Sequence, residues 1–225
     1  MPRSRRIIPD NAALHVISRG NNKQIVFHAD NDKLRYYALL RDLKEENKIS
    51  IFHYCLMDNH VHLLLGLNEK SSVSKFMKQV NLSYFYYYRK LYGYAGHFWQ
   101  NRFRSNIIEA DFHLLQCAKY IELNPVRAGM VGHPSDYLFS SYNFYARGKE
   151  DTLIANSPVY LNLSDSAVSR QKQYVDFVVD TSIINSNMLM KKFYIGSQAF
   201  IDRSQQYYNL RERRDNRGRP PKEEK

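Results

Sequence analysis

The sequence predicts an α+β fold: a ferredoxin-like antiparallel sheet with helices mainly on one face, followed by a helical extension. Three observations carry this. Short apolar runs with period-two alternation recur near residues 12–19, 50–57, 60–67 and 103–108. Segments with helical spacing of apolar residues separate them. The resulting order, β-α-β-β-α-β followed by α, contains the split βαβ unit. Such a sheet packs its helices mainly on one face and leaves the other free.

Each element has its own warrant. ALHVISRG alternates apolar and polar residues, and Gly20 ends the strand. After a polar loop, Leu34, Tyr37, Ala38, Leu40 and Leu43 form an apolar helical stripe, with Asp30 or Asn31 as the expected N-cap. ISIFHYCLM and HVHLLLGL flank Asp58-Asn59, which reads as a β-hairpin. Ser71 or Ser72 is the expected cap of a long helix that Gly93 ends. The next strand is expected over Phe103 to Ile108. Asp111 then opens a helix that Pro125 halts. Further helices are expected from near Ser164 and near Ser197. The organisation expected is a main domain over 1–150, a helical extension over 151–210 and a basic, disordered tail over 211–225. That tail has seven Lys/Arg against four Asp/Glu and few apolar residues. Its RGRPP tract would suit a DNA minor groove through Arg, or be a solvated tail.

Composition excludes several classes. Hydrophobic residues at 44% and charged residues at 24% support a buried core, so wholesale disorder is ruled out. Two cysteines, Cys55 and Cys117, make no disulfide framework and read as reduced core residues. The N-terminus has basic residues but no apolar stretch of a signal peptide, and no run approaches a membrane span. A cytosolic protein with no membrane partner is expected. Lys plus Arg outnumber Asp plus Glu by 33 to 22, a net charge of +11, which points to a polyanionic partner such as nucleic acid. Tyrosine is unusually abundant, at 18 residues. Packing accounts for most of that, and base stacking or a reactive phenol are the sharper readings.

Two short patterns carry chemistry. In His60-Val61-His62, positions i and i+2 of a strand face the same way, so both imidazoles are placed to chelate one divalent ion. A bare His-x-His is more often ordinary. Here it follows a tight turn and opens a strand that is otherwise apolar, where imidazoles need partners. In YIELNPV, Tyr120 and Asn124 lie four apart on one helix face. They offer a nucleophile and an amide oxygen, although such a tyrosine is usually packing and such an asparagine usually ends a helix. A divalent ion beside them would polarise a phosphodiester, and a tyrosine ester would keep the bond energy for strand transfer.

MDNHVHLLL followed by YIELNPVRAG resembles the His-hydrophobe-His (HUH) single-tyrosine transposases of the insertion-sequence type, which act on single-stranded DNA. RGNN (19–22), GHFWQNRFRS (96–105), YIELNPVRAGMV and SSY (140–142) are similar to one branch, the REP-associated tyrosine transposases of bacteria. The likeness covers roughly residues 5–150, and IGSQAFI and RGRPPK resemble that branch's C-terminal extension. It implies the single-tyrosine HUH nuclease fold. It implies that Tyr120 attacks a DNA phosphate to give a 5′-phosphotyrosine and a free 3′-OH, near palindromic hairpins. It implies that His60 and His62 bind Mg²⁺ or Mn²⁺. The wider family's third ligand, often Gln, falls here on Asn124, one methylene shorter. A mixed nitrogen and oxygen set suits Mn²⁺ at least as well as Mg²⁺.

Candidate DNA contacts are Arg19, Asn21, Trp99, Gln100, Arg102, Arg104, Lys119 and Arg127, with Arg3, Arg5 and Arg6 also near the matched motifs. Trp99 reads equally as a core anchor. Tyr84, Tyr86, Tyr87 and Tyr88 rival Tyr120 as nucleophile but none has an Asn or Gln one turn later beside a helix end. The expected partner is single-stranded or hairpin DNA resembling a repeated extragenic palindrome, in a bacterial cytoplasm. The sequence leaves monomer and homodimer open. Two rival functions stand beside the transposase: a hairpin-binding module without turnover, and a metal-dependent hydrolase of small phosphoesters. The +11 charge argues against the second.

Overall fold

A computed structural model describes residues 12–180 and 194–208. Arg3, Arg5, Arg6 and the 211–225 tail lie outside the described residues. Strand β1 (Ala13–Arg19) leads through a loop to α1 (Asp30–Lys44). Then come β2 (Ser50–Met57), β3 (His60–Gly66), α2 (Val73–Tyr92), β4 (Arg104–Ile108) and α3 (Phe112–Glu122). Shorter helices follow: α4 (Asn124–Arg127), α5 (Tyr142–Arg147) and α6 (Pro158–Leu161). The chain continues through α7 (Ala167–Val179), β5 (Tyr194–Ile195) and α8 (Gln198–Tyr208). The sheet order is β2-β3-β1-β4-β5. The first four strands pair antiparallel in the expected ferredoxin-like arrangement, and β5 pairs parallel to β4. With β5 the sheet becomes mixed. Two residues carry too little alternation for a sequence pattern to announce them.

The first two helices cover one face of the sheet. Leu14 and Val16 of β1 pack there with Tyr36 and Leu40 of α1 and Phe76 and Val80 of α2. The opposite face, expected to be free, is covered by α3: Ala13, Cys55, Met57 and Leu64 pack under Leu114, Cys117, Tyr120 and Ile121. Both cysteines are free thiols in this core, and burial pushes both up in pKa. Tyrosines fill much of the interior with satisfied hydroxyls: Tyr36 donates to Asn81 Oδ1, Tyr84 to the Val26 carbonyl and Tyr160 to the Tyr145 carbonyl. No helix among the described residues is long and apolar enough to cross a membrane.

The caps differ in detail from expectation. Helix α1 starts after Ala29, and the capping side chain is Asp32, not Asp30 or Asn31. Its carboxylate accepts from the His28 and Ala29 N–H groups. Ser72 occupies the N-cap of α2 but caps nothing with its hydroxyl, while Ser71 donates to the Lys48 carbonyl. Gly93 ends α2 at φ 63°, and Asp111 caps α3 by accepting from His113 N–H. Pro125 does not simply stop the chain's helicity. It sits in the first turn of α4, where its missing N–H leaves no carbonyl unpaired.

The extension packs against the sheet domain. Asp151 accepts from Tyr37 and Tyr54 hydroxyls, and α7 lies on α5 with Tyr174 and Val178 buried beside Leu115 of α3.

Candidate functional site

The histidine pair opens β3 because the Asp58-Asn59 turn delivers it there. Met57 pairs with His60 across a two-residue turn, and Cys55 pairs with His62. On the other side of β3, Arg19 pairs with His60 and Ile17 with His62, while Ile17 pairs onward with Arg104. Directly opposed residues share a face. Arg19, His60, His62 and Arg104 therefore belong to one face, the one that α3 crosses.

Each imidazole is held through one ring nitrogen. His60 Nδ1 lies 2.6 Å from Asn59 Oδ1. His62 Nδ1 shares a 2.8 Å hydrogen bond with Nε2 of His15, and their rings stack at 5.1 Å. His62 Nε2 is buried and has no hydrogen-bond partner among the described residues. His15 Nδ1 and His53 Nε2 are buried in the same way. What sets His62 apart is a second imidazole beside it, His60 with ring centroids 4.8 Å apart, and the Tyr120 ring. A ring fixed through its other nitrogen suits a metal ligand and its support. Burial drives the pKa of His60 down to about 4, with the Arg19 charge adding to it. Burial also holds His62 well below the usual value, aided by His60, His15 and Arg19. Both rings are thus neutral at pH 7, the form that ligates.

Tyr120 comes from the last turn of α3. Its ring is 6% exposed and lies edge-on to His62 at 5.8 Å and to His15 at 6.1 Å. Its hydroxyl makes no hydrogen bond among the described residues. Burial raises its pKa, and the charges of Arg127 and Arg19 pull the other way. The Arg127 guanidinium stands 5.1 Å from the ring centroid and donates to the Tyr120 carbonyl at 3.4 Å. Asn124 Nδ2 donates to the carbonyls of Tyr120 (2.7 Å) and Ile121 (3.2 Å), closing the end of α3. Its amide is thereby oriented, and Oδ1 is its ligand-capable atom.

The predicted basic residues divide. Arg19, Gln100, Arg102 and Arg104 border one small depression on the histidine face, together with Ile17 and Asn101. Two main-chain bonds hold this rim: Asn21 N–H to the Phe98 carbonyl and Gln100 N–H to the Arg19 carbonyl. Gly20 between them has no room for a side chain, since a Cβ would strike the Gln24 carbonyl. Trp99 is half-buried, donates to the Asn81 carbonyl and packs on Tyr36, Tyr84 and Phe98, so it is an anchor with one open side. Lys119 departs from the expectation of a phosphate contact. It is 3% exposed, with its ammonium on the Asp180 carbonyl and 5.0 Å from the Phe177 ring centroid. The reason is helical phase: Lys119 points toward α7, one position away from Tyr120.

The rival tyrosines sit on the wrong side. Tyr84 and Tyr88 are buried on α2, across the sheet from the histidines, and Tyr87 donates to Asp32. Burial pushes the Tyr84 hydroxyl far above its usual pKa.

Two groups of residues escaped the sequence patterns. His15 is one: β1 alternation puts it on the Arg19 face, and a histidine inside an apolar strand is the signal that would have found it. The other is a buried network around Glu122, whose Oε1 meets His53 Nδ1 (2.9 Å) and accepts from Ser141 (2.6 Å), while Oε2 accepts from Tyr174 (2.7 Å). Its members are scattered from residue 53 to 174, so no local motif announces it.

A second cluster able to hold a cation is Glu109, Asp111 and His113, at the start of α3 and away from Tyr120. Its groups already have structural tasks. Glu109 accepts from the N–H and hydroxyl of Ser197, and Asp111 accepts from His113.

A family model described as "Transposase IS200 like" matches residues 10–124. No curated protein matches the sequence. Among solved structures, the chain is similar to a REP-associated tyrosine transposase bound to a REP hairpin. That match has 20% identity and a TM-score of 0.56, covering 69% of this chain and 92% of that one. A Deinococcus radiodurans R1 protein described as a transposase aligns at 15% identity over 61% of this chain and 98% of its own, with a TM-score of 0.38 that carries no weight.

Proposed function

Because the chain belongs to the IS200-like transposase family, we propose that it cuts and rejoins single-stranded DNA beside a palindromic hairpin through a 5′-phosphotyrosine at Tyr120. The observation that carries this reading is the neutral, partner-fixed pair His60 and His62, whose rings lie 4.8 Å apart and of which His62 lies edge-on to the ring of Tyr120. The likeness to a fold that holds a REP hairpin supports the choice of DNA.

The chain's residues divide the chemistry. Tyr120 Oη attacks phosphorus, the P–O3′ bond breaks, and the 3′-oxygen leaves as a hydroxyl with the proton that the phenol gives up. Burial keeps that phenol protonated at neutral pH, so the proton departs during attack rather than before it. Arg127, over the Tyr120 ring, and Arg19, beside His60, stabilise the negative charge that develops on the phosphate. His60 and His62, with Asn124 Oδ1, would hold Mg²⁺ or Mn²⁺, a reading supported by the two imidazoles lying side by side next to Tyr120, with His62 Nε2 unpartnered among the described residues. When bound, the cation makes the phosphorus more electrophilic. Arg102 and Arg104 line the path by which a strand would enter.

The test is a single-stranded hairpin mixed with protein and Mn²⁺ and run on a denaturing gel. A labelled band at protein-plus-DNA mass, lost in Tyr120→Phe and with chelator, supports the reading. Salt-sensitive binding of several hairpins without that band overturns it in favour of a binding module.

A further inference from the structure

On the α2 side of the rim lies a cavity of about 580 Å³, between α2 and the 96–103 loop. That volume is within the range of sites that enclose an organic ligand. Its walls are aromatic and apolar: Phe85 and Leu82 from α2, Phe98, Trp99 and Phe103 from the loop. Leu82 is 42% exposed, and Trp99 is fixed through its Nε1 bond to Asn81. The charged residues along it are Lys78 and Arg102, and no carboxylate lines it.

Asn101 and Arg102 border both this cavity and the small basic depression on the histidine face. The two spaces therefore meet at one turn. A strand running from the Tyr120 site along this surface would cross Arg19 and Arg104, pass Arg102 and arrive at an aromatic groove. Lys78, Arg102, Arg19 and Arg104 give that route four cations and no acid. Cations spaced along a path suit phosphates, and rigid aromatic walls suit bases stripped of their stacking partners.

We propose that this groove receives unpaired bases of the single strand next to the hairpin, stacked between Phe85 and Trp99, with Arg102 holding the phosphate at the turn. The proposal rests on the reading of the chain as acting on DNA and adds where the unpaired bases go. Charge complementarity selects the occupant. The segments of the chain outside the described residues, 1–11, 181–193 and 209–225, each carry more Lys and Arg than Asp and Glu and would meet those cations as like charges.

Trp99 is the single tryptophan of the chain, so its emission reports this groove alone. The full-length protein is titrated with oligo(dT) and with an abasic deoxyribose-phosphate oligomer of equal length. Binding is followed by anisotropy and the groove by selectively excited Trp99 fluorescence. The titration is run in chelator, where the covalent step does not proceed, so the two readings fail separately. Oligo(dT) should quench Trp99 and bind about five-fold or more tightly than the abasic oligomer, the lower end of what a base–aromatic stack contributes. Phe85→Ala should narrow that gap. Arg102→Ala should weaken both oligomers and lower the salt slope by about 0.7. Unchanged Trp99 emission at saturation, equal binding of the two oligomers, or no binding of either would overturn the proposal.

Discussion

Removing the carboxyl of Glu122 is the sharpest test of how Tyr120 is held. Glu122 is 0% exposed and two residues beyond Tyr120, and three buried groups converge on it: His53, Ser141 and Tyr174. They come from β2, from the turn before α5 and from α7, so one side chain ties α3 to three elements. Glu122→Ala leaves His53 and the Tyr174 hydroxyl without that partner, while Ser141 keeps a long contact with the Tyr54 carbonyl at 3.4 Å. Breaking a buried polar cluster by deleting one member costs about 3–5 kcal/mol. At about 2–4 °C per kcal/mol for a chain of this size, Tm should fall by roughly 6–20 °C. Glu122→Gln keeps the shape and one acceptor oxygen, and should cost about 1–3 kcal/mol. Scanning calorimetry measures the first effect, and the yield of covalent adduct at a temperature where both variants are folded measures the second. Adduct yield should fall more than hairpin affinity, because the network orients the nucleophile and touches no DNA. A Glu122→Ala protein that melts within about 2 °C of the parent would refute the argument, since no such loss of buried bonds is that small.

Other consequences are simpler. Tyr120→Phe should abolish the adduct yet lower stability by less than the ~1 kcal/mol of an ordinary hydrogen bond, because its hydroxyl bonds to no described residue; a large loss of stability would contradict the placement. His15→Ala frees His62 Nδ1, and Mn²⁺ affinity measured by calorimetry should drop about 10–100-fold, as for other supports of metal ligands. Lys119→Met should leave the salt slope of DNA binding unchanged while lowering Tm, since its ammonium faces the Asp180 carbonyl. A reduced slope would return Lys119 to the DNA surface.

The sequence was most legible where a pattern is local. The hairpin over 50–66 needed only two apolar runs and Asp58-Asn59, and the facing of His60 and His62 followed from strand alternation. Asp111 was readable as a cap because capping acts over two or three residues. The choice of Asp30 or Asn31 over Asp32 failed for the same kind of reason: several acidic and amide residues crowd one turn, and only the path of the preceding loop decides which one reaches back. What pairs distant elements was not legible. The parallel strand β5 is two residues long, and its partner β4 lies some ninety positions away. The burial of Lys119 depends on α7 lying across α3, which no property of YIELNPV encodes.

The second acidic cluster offers the last discrimination. Glu109, Asp111 and His113 have the donor atoms to hold a cation, and the adjacent imidazoles of His60 and His62 offer nitrogen donors of their own. Chemistry separates them. Both oxygens of Glu109 already accept from Ser197, which fixes the start of α8, and Asp111 Oδ1 already accepts from the main chain and ring of His113. A cation there would have to displace bonds the fold uses. His62 Nε2 displaces no bond to a described residue, being buried without a partner among them. Glu109→Gln should therefore keep Mn²⁺-dependent adduct formation within about two-fold of the parent, the lost charge being remote from Tyr120 and screened by solvent. His62→Ala should remove it. The adduct gel with a Mn²⁺ titration reads both variants side by side. If Glu109→Gln shifts the Mn²⁺ requirement ten-fold while His62→Ala does not, the cation serves the start of α3 rather than Tyr120, and the assignment of the histidine pair fails.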